Sequence, residues 1–183
     1  ATHQTPIRNQ RDRGTCVVHA TLAAVEAAYS REGLPNLDLS EQYLVSCNSN
    51  GWGCSGGWFA HSYHMSAPDP CGDAGAVREA VFPYVAYDAS CNCPYEHTYT
   101  IESYAYVGNN YSVPSTEAIK QAILDHGPVS VAVTVNSSFQ AYDGGVYDAM
   151  WTKNINHAVV LVGWDDNQGE NGVWFMRNSW GPW

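Results

Sequence analysis

Cys16 lies in "NQRDRGTCVVHA", at the boundary between a polar, glycine-marked turn and an apolar helical run. A thiol at that boundary can do chemistry. The unpaired N–H groups and the dipole at a helix N-terminus favour the thiolate, which is the nucleophilic form. Covalent acyl transfer from such a thiolate also needs a base to take its proton and a third group to orient that base. His157 opens the run "HAVVLVGW", and Asn178 lies in "RNSWG". His157 follows Cys16 by 141 residues and Asn178 by 162.

The elements around these residues must aim them. Val18, Leu22, Val25 and Tyr29 recur at helical spacing after Cys16, and alanines at 20, 23, 24, 27 and 28 favour the helix. Gly33 and Pro35 end it. A second helix is predicted from Ser40 in "LSEQYLVSC", with Ser40 as N-cap, and a third from Trp58 to Met65. Residues 66 to 114 are rich in Pro, Gly, Tyr and Cys and read as long loops tied down by disulfides. "STEAIKQAILDHG" reads as a helix capped by Ser115 or Thr116 and closed by Gly127. "PVSVAVTV", "HAVVLVGW" and "GVWFMRNS" then read as strands. If the last two are adjacent and antiparallel, His157 and Asn178 meet. Helices in the first half and strands in the second make an α+β chain of two lobes, 1–107 and 108–183.

Composition sets the limits. The 183 residues are 45% hydrophobic and 14% charged, a globular balance, with a formal net charge of −10. That charge argues against nucleic acid or an anionic membrane as partner, and no stretch of ~20 apolar residues spans a bilayer. Six cysteines in a loop-rich chain favour an oxidising compartment. The chain opens on "ATHQTPIRNQ" and stops on "RNSWGPW", so further residues are expected at both ends.

"NQRDRGTC", "LSEQYLVSC", "GCSGGW", "NHAVVLVGW" and "RNSWG" together resemble, in order and spacing, the papain-like cysteine proteases. The resemblance covers nearly the whole chain. It implies a two-lobe fold, with a helical lobe and an antiparallel, barrel-like β lobe flanking a cleft. It makes Cys16 the nucleophile, His157 the general base and acid, and Asn178 the group that orients the imidazole. Gln10 resembles the family's oxyanion-hole glutamine, and Trp180 the indole that shields the Asn–His contact. Gly56 and Gly57 match the pair that hydrogen-bonds extended substrate. Trp58, Phe59, Ala132, Ile155 and Ala158 match the main specificity pocket. All five are apolar, which implies preference for a bulky apolar residue two positions before the scissile bond.

The resemblance further implies a monomer that hydrolyses peptide or protein substrates without a metal or other cofactor. It implies a zymogen held by an inhibitory propeptide, control by cystatin-like inhibitors, and a secreted, lysosomal, vacuolar or periplasmic location.

The chain departs from the family in places. Val17 stands where an aromatic residue is usual, and His19 where a Phe is common. Arg13 replaces the cysteine three residues before the nucleophile, so Cys54, which aligns with its customary partner, lacks that disulfide. Arg13 is expected to set a positive charge near the thiolate. Cys47 is expected to pair with Cys91 or Cys93, and Cys54 has Cys71 or the other of that pair as candidate partners, while five non-catalytic cysteines leave one unpaired or paired outside this chain. These departures keep two alternatives open on the same scaffold: a peptide-binding or regulatory protein with weak catalysis, and a transpeptidase or ligase. His61 and His64 with Cys54 do not make a recognised zinc spacing.

Overall fold

The computed structural model describes residues 5–149 and 154–182. The first helix, α1 (Cys16–Arg31), begins at the nucleophile candidate, and Val18, Leu22 and Val25 on it are buried. Helix α2 (Glu41–Ser46) is capped by Ser40, whose Oγ accepts the Tyr43 N–H. A cap of this kind contributes about 1 kcal/mol. Between Trp58 and Met65, where a full helix is expected, only a 3-10 turn forms, His61–His64. Two glycines precede that stretch and Ala60 offers no side-chain cap, so nothing nucleates a longer helix.

Among the described residues, 66–114 contain no helix or strand beyond isolated bridges, Leu39 with Arg78 and Ala76 with Tyr99. Two disulfides tie this segment down, Cys47–Cys91 and Cys71–Cys93. The candidate bond from Cys54 does not form: Cys54 is a free thiol. Its backbone N–H bonds to Asp88 and its carbonyl accepts from Gly14, which holds it beside Arg13 rather than beside another sulfur.

Helix α3 (Thr116–His126) is capped by Ser115 and closed by Gly127, whose φ of 95° suits glycine. The strands are β1 (Val129–Val133), β2 (His157–Asp165) and β3 (Val173–Arg177), with a short helix α4 (Ser137–Gln140) between β1 and β2. They form an antiparallel sheet in the order β1-β2-β3. Ala132 pairs with Ala158, and Val160 with Arg177. The first five residues of β2 are buried, and Ala158 and Val160 join α1 side chains, Leu39, Tyr43 and Tyr63 in one core. Helix α1 therefore lies on the sheet, with its N-terminus near the start of β2. Among the described residues, no helix is long and apolar enough to cross a membrane.

Candidate active site

The antiparallel pairing of β2 and β3 puts the first residue of β2 near the residue that follows β3. His157 Nε2 lies 2.7 Å from Asn178 Oδ1. A carboxamide oxygen only accepts, so Nε2 carries the hydrogen and, in the neutral ring, Nδ1 is left bare to receive a proton. The Ser179 N–H also donates to Asn178 Oδ1, at 2.8 Å, and helps hold the amide that way round. The Trp180 ring lies over the imidazole, with centroids 5.1 Å apart, and Phe139 meets the other ring edge-on at 5.8 Å.

Cys16 enters from α1. The backbone N–H of Ala158, the residue after His157, acts on its thiol and pulls the pKa down, which puts the sulfur near the start of β2. The helix carries no side-chain cap, because Thr15 turns its hydroxyl to Tyr84 instead. Its first N–H groups are thus free to face the sulfur. Burial nevertheless pushes the Cys16 thiol pKa up, against the pull of the Ala158, Val17 and Cys16 N–H groups. Burial also pulls the His157 pKa down, against the Asn178 bond. A helix terminus alone is therefore not enough to ionise this thiol. Arg13 does not help either, because its Nε donates to the Ala86 carbonyl at 2.7 Å and its charge acts on Cys54. The expected positive charge beside Cys16 is absent from the groups that influence it.

Gln10 reaches the site through a pairing that no local pattern announces. Residues 8–10 run antiparallel to 179–181: the Gln10 N–H donates to the Ser179 carbonyl, the Gly181 N–H to the Arg8 carbonyl, and Asn9 bridges to Trp180. Gln10 Oε1 accepts from Ser179 Oγ at 2.6 Å, and Nε2 donates one hydrogen to the Arg13 carbonyl at 2.6 Å. The second Nε2 hydrogen remains for another acceptor.

Gly56 closes a tight turn in which Gly53 and Gly56 bond each other, and Gly57 follows it. A Cβ on Gly57 would stand 2.8 Å from the Trp52 ring, and one on Gly14 only 3.0 Å from the Gly56 nitrogen. Glycine at both places lets this loop approach the turn before Cys16. Trp58, Phe59, Ala132 and Ile155 line one large open cleft, whereas Ala158 is buried and does not line it. Asp69, Cys71 and Cys93 cluster at metal-like distances, but the two sulfurs form a disulfide and cannot bind as thiolates.

A family description, papain family cysteine protease, matches residues 1–183. The chain belongs to the papain family of cysteine proteases. It is 29% identical to fruit bromelain of Ananas comosus over 176 residues, which is 96% of this chain and 47% of bromelain. It is 32% identical to human cathepsin L2 over 187 residues, 97% of this chain and 54% of the cathepsin. The chain thus spans about half the length of these relatives. Among solved structures, bromelain in complex with the E64 inhibitor superposes with a TM-score of 0.82 at 31% identity, covering 98% of this chain and 79% of that one. Digestive procathepsin L2 from Tenebrio molitor larval midgut gives 0.79 at 29% identity, covering 98% and 56%. The expected papain-like α+β fold holds for this papain-family chain.

Three neighbours of this papain-family site were not evident from its sequence. Ser179 holds Gln10. Tyr84 donates to the Gln10 carbonyl, pairs with Thr15 and meets His19 edge-on. Ala86 receives Arg13. Only Ser179 sits in a recognised motif, "RNSWG"; the other two come from the loop segment, where no pattern marks them.

Proposed function

We propose that this chain carries the catalytic centre of a cysteine peptidase. The observation that carries the reading is the His157–Asn178 contact of 2.7 Å at the start of β2, where the adjacent Ala158 N–H also acts on the Cys16 thiol. In this reading the Cys16 proton passes to His157 Nδ1. Each charge is unfavourable alone in a buried site, and the two opposite charges attract each other once the proton has moved. The thiolate attacks a peptide carbonyl, forming a C–S bond while the carbonyl electrons move to oxygen. The free Gln10 hydrogen and the Cys16 N–H stabilise that oxyanion, each by ~3 kcal/mol. His157 protonates the leaving amine as the C–N bond breaks, and water then hydrolyses the thioester. Asn178 holds the ring, and Trp180 keeps water from their hydrogen bond.

The lobes are 1–107, which brings Cys16 and Gln10, and 108–183, which brings His157 and Asn178. Gly56 and Gly57 receive extended substrate by strand addition. Trp58, Phe59, Ala132 and Ile155 take a bulky apolar side chain two positions before the scissile bond. An inhibitory propeptide, cystatin-like inhibitors and a monomeric state belong to the same reading. Two disulfides suit an oxidising compartment.

The test pairs titration of Cys16 by an epoxysuccinyl inhibitor with turnover of a fluorogenic dipeptide series. Stoichiometric labelling, with hydrolysis fastest for Leu, Val or Phe at the second position, is expected. Labelling without turnover overturns the peptidase in favour of a binding protein. Dominant Arg or Glu preference overturns the pocket.

A further inference from the structure

His19, where a Phe is common in the family, has no role in the chemistry above. It is 4% exposed and borders a cavity of about 20 Å³ directly behind the site. Arg8, Ala158, Arg177, Asn178 and Ser179 also line it. That volume suits a single water, provided the walls offer it polar partners.

The walls do offer them. Arg8 lines the space, but its Nε is sealed from anything the size of a water and takes no part. His19 Nδ1 lies 3.0 Å from the Thr15 carbonyl oxygen, which only accepts, so Nδ1 carries the hydrogen. Burial, helped by the charges of Arg8 and Arg177, brings the His19 pKa down to about 4. In the neutral ring Nε2 is then a bare acceptor. Asn178 spends its oxygen on His157 and the Ser179 N–H. Its Nδ2 makes no hydrogen bond among the described residues. One donor and one acceptor thus belong to residues that line a space the size of one water, which can accept twice and donate twice.

We propose that this cavity binds one water molecule, and that His19 is a positioning residue that fixes the Asn178 carboxamide through it. The water accepts from Asn178 Nδ2 and donates to His19 Nε2. With Nδ2 held from behind, the Asn178 oxygen stays on His157. A flipped amide would set two N–H groups against each other. The Phe common at this position would fill part of the space and offer no acceptor. The catalytic consequence rests on the peptidase reading; the water and the tautomer do not.

Three measurements decide it. A crystal structure at about 1.2 Å, the limit at which hydrogens begin to show, is expected to show one water within hydrogen-bond distance of His19 Nε2 and Asn178 Nδ2. Nitrogen-15 NMR of the imidazole is expected to find the Nδ1–H tautomer at His19. His19→Phe is expected to lower kcat about tenfold with KM unchanged, about the worth of one hydrogen bond. His19→Gln, whose side-chain oxygen can stand where Nε2 stood, restores most of it. An empty cavity, bromide in the cavity after a soak, or the Nε2–H tautomer overturns the water site. Equal kcat for both variants overturns the positioning role. If the wild type hydrolyses nothing, the peptidase reading fails, while the crystal and the NMR spectrum still decide the water. If His19→Phe does not fold, His19→Gln and the crystal of the wild type decide.

Discussion

The frame that carries Cys16, His157 and Asn178 and the segment from 66 to 114 are held together by different means. In the frame, α1 lies on β2, the strands are in antiparallel register, and each site side chain has a partner in another element. The long segment has almost no regular structure. Its ties are two disulfides, the buried Asp69, which takes the Cys71 and Asp73 N–H groups, and single bonds such as Arg13 to Ala86. A proton transfer needs one geometry, and regular elements over-determine it. A wall that only encloses a groove needs to be present, and crosslinks suffice.

The strongest challenge to that contrast is to remove the Cys47–Cys91 bond by replacing both cysteines with alanine. The bond closes a 44-residue separation, and in the chain-entropy account its loss costs about 4 kcal/mol. A fall in Tm of about 10 °C is expected, with kcat of the protein that remains folded unchanged. A comparable fall in kcat would mean that the loop positions the site after all.

Gln10→Ala tests the other side. It removes one oxyanion donor and frees Ser179 Oγ, so kcat is expected to fall about 10²- to 10³-fold with little change in KM. A Tm change of more than a few degrees, with kcat intact, would make Gln10 part of the wall rather than the site.

What was legible in the sequence follows the same division. Ser40, Ser115 and Gly127 act on their own backbone neighbours, so a local reading finds them. His157 and Asn178 could be paired because strand alternation and antiparallel register are regular rules. The Trp58–Met65 helix failed because apolar spacing there marks packing against the core, not a helical period: Tyr63 and His64 are both buried around a single turn. Whether Cys71 bonds to Cys93 or to Cys54 depends on which loops approach in three dimensions, and spacing does not encode that. The Gln10–Ser179 bond, the turn of Arg13 toward Ala86, and the burial that raises the Cys16 thiol pKa are equally non-local.

The frame has a soft point of its own, and pH exposes it. Glu41 is buried near Glu79 and Glu26, and burial with these like charges raises its pKa to about 8 from 4.5. The folded state therefore holds a proton that the unfolded chain releases above about pH 4.5. Stability from this group is full below 4.5 and is lost as pH rises through about 8. Glu41→Gln keeps the shape and removes the proton. Its Tm is expected to fall less than the wild type's between pH 5 and 8, by about 5 °C or more. Parallel profiles would show that Glu41 does not set this dependence.

The smallest effect is expected at the corner where the two regions meet without a crosslink. Arg13 Nε donates to the carbonyl of Ala86, a residue with φ of 59°, while Asp88 takes the Cys54 N–H across the same junction. Arg13→Ala removes the first bond and leaves a partly buried carbonyl to water. A loss of about 1 kcal/mol, or 2–4 °C in Tm, is expected. Because the Arg13 charge lowers the Cys54 pKa while Asp88 and burial raise it, the variant should also make Cys54 slower to react with a neutral disulfide reagent at pH 8. The Cys16 thiol, which Arg13 does not influence, should react at its wild-type rate. Equal slowing at both sulfurs would mean that Arg13 acts through the turn before α1, and the corner would then belong to the frame rather than to the wall.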